Sequence, residues 1–346
     1  MMLPSRNVAA DSEGGQTLVI LMDLGIHDHG RDPKIKHQNN VEDDRHFGSS
    51  HGTGLFQKLC IKMRSKKRKG FSSQFELIGT IKKESVIPYS MVLSYQYNCI
   101  LVGNRNYDSP SVEVFDLETK QHIKSCEVHV TPYYLKIEKL NNEEEYLICV
   151  HYSHITKYKL RDIVDNQHSS QSTPKYLWDT EIAYISSAAV DYHQTDSSKN
   201  IIFTCKDCYI VKVNSLTGEE LSPINVRNCT FSSELYCLEL LPNRNIIVFC
   251  KDRFFTLKEQ ANGSWISIHE FGQNCSISSI VDFVYDEITH NTIVCCYSPR
   301  SIMVFNEFGE AVTKHAVTSP MACCLHQVTG ELFVADDHDQ TVMIFK

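Results

Sequence analysis

From residue 75 onward the chain alternates apolar and polar residues in short runs rich in Val, Ile, Tyr, Phe and Cys. Turn residues separate the runs, and almost no helix-period pattern appears, so the region reads as all-β. The pattern repeats. A strand ending in an apolar or aromatic residue recurs at Phe115, Tyr158, Val213, Leu257, Phe305 and Phe345, with steps of 43, 55, 44, 48 and 40 residues. Within each copy the second strand is the clearest: CILVG from Cys99, YLICV from Tyr146, NIIFTC from Asn200, NIIVFC from Asn245, NTIVCC from Asn291 and ELFVA from Glu331. Four strands in ~40 to 50 residues is the spacing of a propeller blade, because one twisted sheet buries its faces only against neighbouring blades. Six copies fill residues 75–346. The last stops after its third strand, while an unassigned strand, FELIGTI at residues 75–81, precedes the first. If that strand is the outermost of the final blade, both ends of the chain seal the ring and leave no edge incomplete. The expected architecture is an all-β, six-bladed β-propeller over 75–346 behind a tail of residues 1–74.

Composition agrees with a packed domain. With 42% hydrophobic and 22% charged residues, 15 Gly and 10 Pro in 346, collagenous, coiled-coil and wholly disordered chains are excluded. The apolar run at residues 18–22 is far shorter than the ~20 residues of a membrane span and has no basic flank, so neither a span nor a signal peptide is expected. Fourteen cysteines lie mostly inside strand-like runs, as at Cys149, Cys205, Cys250, Cys295 and Cys296, and read as reduced core thiols. A cytoplasmic or nuclear location follows as the expectation, with the sequons at Asn228, Asn262 and Asn274 unglycosylated.

Charge divides the chain. Residues 1–70 hold 12 Lys and Arg against 8 Asp and Glu, a net of +4, whereas the rest holds 22 against 34, a net of −12. The first part lacks periodicity and is expected to be largely disordered. Its informative stretch is residues 55–70, where Leu55, Phe56, Leu59, Cys60 and Met63 share one helical face. Seven basic side chains follow in close order: Lys58, Lys62, Arg64, Lys66, Lys67, Arg68 and Lys69. Such a segment suits an anionic lipid surface, a calmodulin-type target helix, a nuclear import signal or a plain solvated linker. Membrane contact is expected to be peripheral at most, with Cys60 a weak palmitoylation candidate. The net of −12 on the propeller disfavours nucleic acid as its partner.

The last copy, residues 319–345, resembles the NHL repeat in its Pro320, Gly330, Leu332, Val334, Ala335, Asp336, Val342 and Phe345. The first copy is a weaker match, with Gly103-Asn104 where the pattern has Ala-Asp. The resemblance implies a six-bladed interaction module, with Pro320, Gly330, Val334, Asp336 and Phe345 as structural positions of the motif. Several such proteins carry a RING, B-box and coiled coil and act as ubiquitin ligases. Here residues 1–74 hold one cysteine, Cys60, so no RING zinc framework exists within them. What the resemblance leaves open is substrate recognition in ubiquitin-dependent turnover alongside a separate ligase. Some six-bladed propellers are also metal-dependent hydrolases or lyases that use the central channel.

Candidate chemistry is sparse. Cys205-Lys-Asp-Cys208 has the spacing of a zinc knuckle or redox pair, but no second pair lies at zinc-finger distance and Cys205 continues a column of strand cysteines. The histidines from His27 to His51 have irregular spacing. His129, His151, His193 and His326 stand near strand ends and form no recognisable ligand set. Gly52-Thr-Gly54 lacks the Gly-Lys-Ser/Thr of a phosphate loop, and no Gly-x-Ser-x-Gly occurs. Asp336-Asp337-His338-Asp339 reads as a turn in which Asp336 accepts backbone N–H groups. The expectation is therefore a non-catalytic, monomeric propeller that binds a protein or peptide on one face, with no cofactor and no metal.

Overall fold

The structure is a computed structural model that describes residues 67–346, except 141–143, 166–172, 193–198, 228–230, 232–233, 274, 276 and 278. Chain order begins with β1 (Leu77–Lys82). The first blade follows as β2 (Pro88–Ser94), β3 (Cys99–Asn104), β4 (Ser111–Asp116) and β5 (His122–Glu127). The second is β6 (Tyr134–Leu140), β7 (Glu144–His151), β8 (His154–Lys159) and β9 (Tyr176–Glu181), with a short helix α1 (Leu160–Val164) after β8. The third is β10 (Ile185–Asp191), β11 (Ile201–Lys206), β12 (Tyr209–Asn214) and a two-residue β13 (Glu220–Leu221). Next comes β14 (Val226–Arg227), then the fourth blade of β15 (Leu235–Leu240), β16 (Ile246–Cys250), β17 (Arg253–Glu259) and β18 (Trp265–Phe271). The fifth is β19 (Ser279–Asp286), β20 (Asn291–Ser298), β21 (Ser301–Phe305) and β22 (Ala311–Ala316). The sixth is β23 (Pro320–His326), β24 (Glu331–Asp336) and β25 (Thr341–Phe345), completed by β1.

Each first strand touches the first strands of both neighbouring blades, β23 and β2 included, which closes the sheets into a six-membered ring. The six apolar clusters lie one between each pair of adjacent blades. This is why the second strands read as unbroken apolar runs: both of their faces are covered, and β3 is buried along its whole length. Cysteine recurs in these strands, at Cys99, Cys149, Cys205, Cys250, Cys295 and Cys296, all buried, where a small apolar side chain fits the narrow space between converging sheets.

The seam is antiparallel, with Leu77 opposite Phe345 and Lys82 opposite Thr341. The packed body reaches further toward the N terminus than a boundary at residue 74 allows. Phe71 and Phe75 are buried in the cluster between the fifth and sixth blades, Phe75 stacks on His315 at 4.9 Å, and the Phe71 N–H donates to Asp286 Oδ2 at 2.8 Å. Sequence reasoning placed Phe75 at the start of the closing strand but missed Phe71, which precedes that strand and belongs to no periodic pattern. Two further differences concern the outer strands. β13 pairs with β12 at only two positions, and β14 adds a parallel strand to the outer edge of the fourth blade.

The expected structural positions of the last repeat can now be placed. Pro320 opens β23 opposite Asp336, and Val334 and Phe345 share one core cluster. Asp336 is buried and accepts N–H groups from His338 at 3.0 Å and Asp339 at 3.2 Å. Gly330 closes the β23–β24 turn with φ of 75°, and a Cβ there would lie 2.6 Å from the Gly70 carbonyl oxygen. Gly330→Ala is expected to destabilise the domain by at least ~1–2 kcal/mol from the backbone conformation alone, read as a lowered midpoint in urea with an unchanged slope.

Between the second and third blades lies a buried ionic cluster. Glu138 of β6 meets Lys157 of β8 at 2.6 Å, with both side chains almost wholly inaccessible. Lys157 Nζ also donates to the Ser215 carbonyl and hydroxyl oxygens, each at 2.9 Å, while Asn200 Nδ2 and Ser215 Oγ donate to Glu138 Oε1. Trp178 Nε1 donates to the same Ser215 carbonyl at 2.9 Å. Burial lowers the Lys157 pKa, opposed by the Glu138 charge.

Candidate functional site

At the start of five of the six first strands one extra residue breaks the register: between Pro88 and Ser90, Ile185 and Ala188, Leu235 and Cys237, Ile280 and Asp282, and Pro320 and Ala322. A bulge of this kind bends a strand and re-aims a side chain. The inserted residues Tyr89, Ser186, Tyr236, Val281 and Met321 all line one cavity of about 280 Å³ at this end of the central channel. Tyr133 and Tyr134, at the entry to β6, complete its wall. Tyr107 and Tyr152 reach it from the turns between second and third strands.

The mouth is therefore rimmed by tyrosine. Tyr107, Tyr152, Tyr184 and Tyr236 are exposed, and Tyr152 packs edge-on against Tyr184 at 5.2 Å. Tyr133 is held from three sides: it stacks on His151 at 5.2 Å, meets Tyr89 edge-on at 5.2 Å, and donates its hydroxyl to the Tyr107 oxygen at 3.0 Å. Arg105 lies 4.8 Å from the Tyr89 ring centre and grips both Asp337 carboxylate oxygens, at 3.0 and 3.2 Å, tying the first blade to the last. Burial and the neighbouring His154 hold the His151 pKa down, which favours the neutral ring beneath Tyr133.

Tyr134 and Asp282 form the floor, shared with a second cavity of about 290 Å³ on the far side. Asp282 is 6% exposed and accepts N–H groups from Phe283 and, across the blade boundary, Cys323, each at 2.9 Å. Burial pushes its pKa up to about 7 against the pull of those two donors, with Glu239 adding to the rise and Lys136 opposing it. Lys136 and Glu239 pair with each other at 2.7 Å in the second cavity.

Of the residues singled out in the sequence, His151, which supports Tyr133, and Asp337, which holds Arg105, border this mouth. Cys205 is buried within β11 with its thiol pushed by burial to about 12, so it is protonated at neutral pH, and Cys208 is half-buried on the following turn. His129 is exposed near Tyr176, and buried His326 accepts two backbone N–H groups through Nδ1. His193 and the sequon residues Asn228 and Asn274 lie outside the described residues, whereas Asn262 accepts the Ser264 N–H at 3.0 Å in a turn. Of the basic segment, Lys58, Lys62, Arg64 and Lys66 lie outside the described residues. Lys67, Arg68 and Lys69 are exposed, and Arg68 pairs with Glu287 at 2.9 Å. Among the described residues no group of three or more His, Cys, Asp or Glu is arranged to hold a metal ion, and no helix is long and apolar enough to cross a membrane.

The tyrosines did leave a signal: they recur just before or within the start of first strands, as Tyr89, Tyr133, Tyr134, Tyr184 and Tyr236. Comparison with known proteins bears on the fold. No family model matches the chain, and no curated protein matches it. The NHL resemblance thus rests on the residues of the final repeat and has no support from a family model. Among solved structures, the beta-propeller domain of Myceliophteria thermophila Cps50 (Swd1) is similar with a TM-score of 0.55 at 10% identity, covering 79% of this chain and 99% of that chain. At that identity the likeness establishes the propeller architecture and nothing finer, and the chain is a six-bladed β-propeller.

Proposed function

We propose that this chain is a non-catalytic interaction module that binds a partner peptide at the tyrosine-rimmed mouth of its channel. The observation that carries this reading is the convergence of Tyr89, Tyr107, Tyr133, Tyr152 and Tyr236, from three different blades, on one concave opening. Tyrosine supplies large contact area at low entropic cost, and such residues dominate binding energy where they cluster. Most lie on bulges and turns held by the rigid ring, the usual placement of a recognition surface. Tyr107, Tyr152 and Tyr184 are exposed and belong to none of the six core clusters.

Peptides selected from a random 12-residue display library on the full-length chain are expected to bind at this mouth. Replacing Tyr107, Tyr152 and Tyr184 together by Ala is then expected to weaken them at least tenfold, about 1.4 kcal/mol or more, with little change in thermal midpoint. Equal binding to the triple variant would place recognition elsewhere on the propeller.

A further inference from the structure

The floor of the mouth carries a carboxyl group, Asp282, where the fold requires only an oxygen. Between the third and fourth blades, the Ser187 hydroxyl accepts the Leu238 N–H at 3.1 Å, the same cross-blade service that Asp282 gives Cys323. A neutral oxygen is sufficient for that bond. Other buried acids in the ring have cations or cap turns: Glu138 has Lys157, Glu113 has Lys83, Glu145 has Lys139, and Asp286 and Asp336 accept turn N–H groups. Among the described residues no cation lies within ion-pair distance of Asp282, yet it faces an open cavity. The cavity's other charged wall residue, Arg105, is already engaged by Asp337 and Tyr89.

We propose that the mouth selects a positively charged side chain, lysine or arginine, of the partner peptide, with Asp282 as the acceptor at its floor and the tyrosine rings as its walls. Each Asp282 oxygen spends one lone pair on a backbone N–H and keeps another for an incoming donor. A cation passing tyrosine faces gains from their quadrupoles, and the aliphatic stem of lysine or arginine suits an apolar wall. A buried carboxylate without a cation is costly until a partner cation arrives, which makes the site selective for charge. The groups around it are Tyr134 and Lys136 of β6, Cys237 and Glu239 of β15, Cys295 of β20, and Cys323 and Cys324 of β23. The phenol and thiols among them are all pushed upward and stay neutral near pH 7. Binding should therefore tighten as pH rises from 6 to 8, as Asp282 ionises.

This inference rests on the proposed peptide-binding function. Its test uses five libraries of acetylated heptapeptides, random except for a central arginine, lysine, citrulline, norleucine or glutamate, passed over immobilised full-length protein. The arginine or lysine library is expected to be retained at least tenfold more than the citrulline and norleucine libraries. Asp282→Ser, which keeps an oxygen for the Cys323 N–H, is expected to abolish that preference, and Asp282→Asn serves as a second variant; thermal midpoints show that each remains folded. Norleucine retained as well as the cations would overturn the inference while leaving peptide binding at the mouth intact. Preference for glutamate, or a cation preference that survives both variants, would also overturn it. If no library is retained, the inference and the proposed function fall together.

Discussion

A chain that begins at Lys83 is expected to show no cooperative thermal transition under conditions where one that begins at Lys67 melts as a unit. The missing segment supplies the whole outer strand of the sixth blade, so β25 would present an uncovered edge. It also removes two aromatic rings from the core: Phe71 and Phe75 pack edge-on at 5.0 Å, and Phe75 meets Phe345 at 5.7 Å. Deleting one buried Phe side chain costs ~3–5 kcal/mol, against a total stability of ~5–15 kcal/mol for a typical domain. A chain that begins at Ser73 separates the contributions. It keeps the strand and loses Phe71, and its midpoint is expected to fall by roughly 10 °C while the transition stays cooperative. Calorimetry of the three chains reads both outcomes, and equal midpoints would show that the ring closes without this seam.

Lys157→Met is expected to be among the most damaging single substitutions in the ring. It leaves Glu138, Asn200 and Ser215 arranged around a cation that is gone, and an unpaired buried charge of this kind costs ~3–5 kcal/mol. The compensating change is specific. Glu138→Leu combined with Lys157→Met removes both charges, and the double variant is expected to recover most of the loss, because an apolar pair of similar volume avoids the cost of desolvating two ions. Urea midpoints for the two single variants and the double variant complete the cycle. Additive losses would show that the two residues act separately.

The ring was legible in the sequence because its determinants are local. Six second strands buried on both faces read as apolar runs, and turn residues between them set the period. The mouth was not legible as a site, since Tyr89, Tyr133, Tyr236 and Asp282 are far apart in the chain and meet only when the ring closes. Each alone looks like a strand residue. The ionic cluster escaped for a related reason: in YLKIEKL and HITKYK, a charge at an alternating position implies a solvated face, yet Glu138 and Lys157 point into the boundary between two blades. Cross-blade geometry decides which alternating face is wet, and no single strand carries that information.

The buried cysteines make the state of the fold chemically visible. Ten of the twelve described cysteines are buried and two, Cys208 and Cys275, are half-buried. Burial raises the pKa of thiols such as Cys99, Cys205 and Cys296 to about 12, so they hold almost no thiolate at neutral pH. These ten buried thiols therefore offer an alkylating reagent or oxidant little to attack while the ring is shut. Once a blade separates, several thiols reach water together with ordinary reactivity, and a sulfenic acid or disulfide formed there no longer fits the narrow space between sheets. Transient opening is thus converted into damage that persists until a reductant reverses it, at a rate set by the opening equilibrium, so the working lifetime of this propeller under oxidative conditions is governed by how tightly its blades stay together.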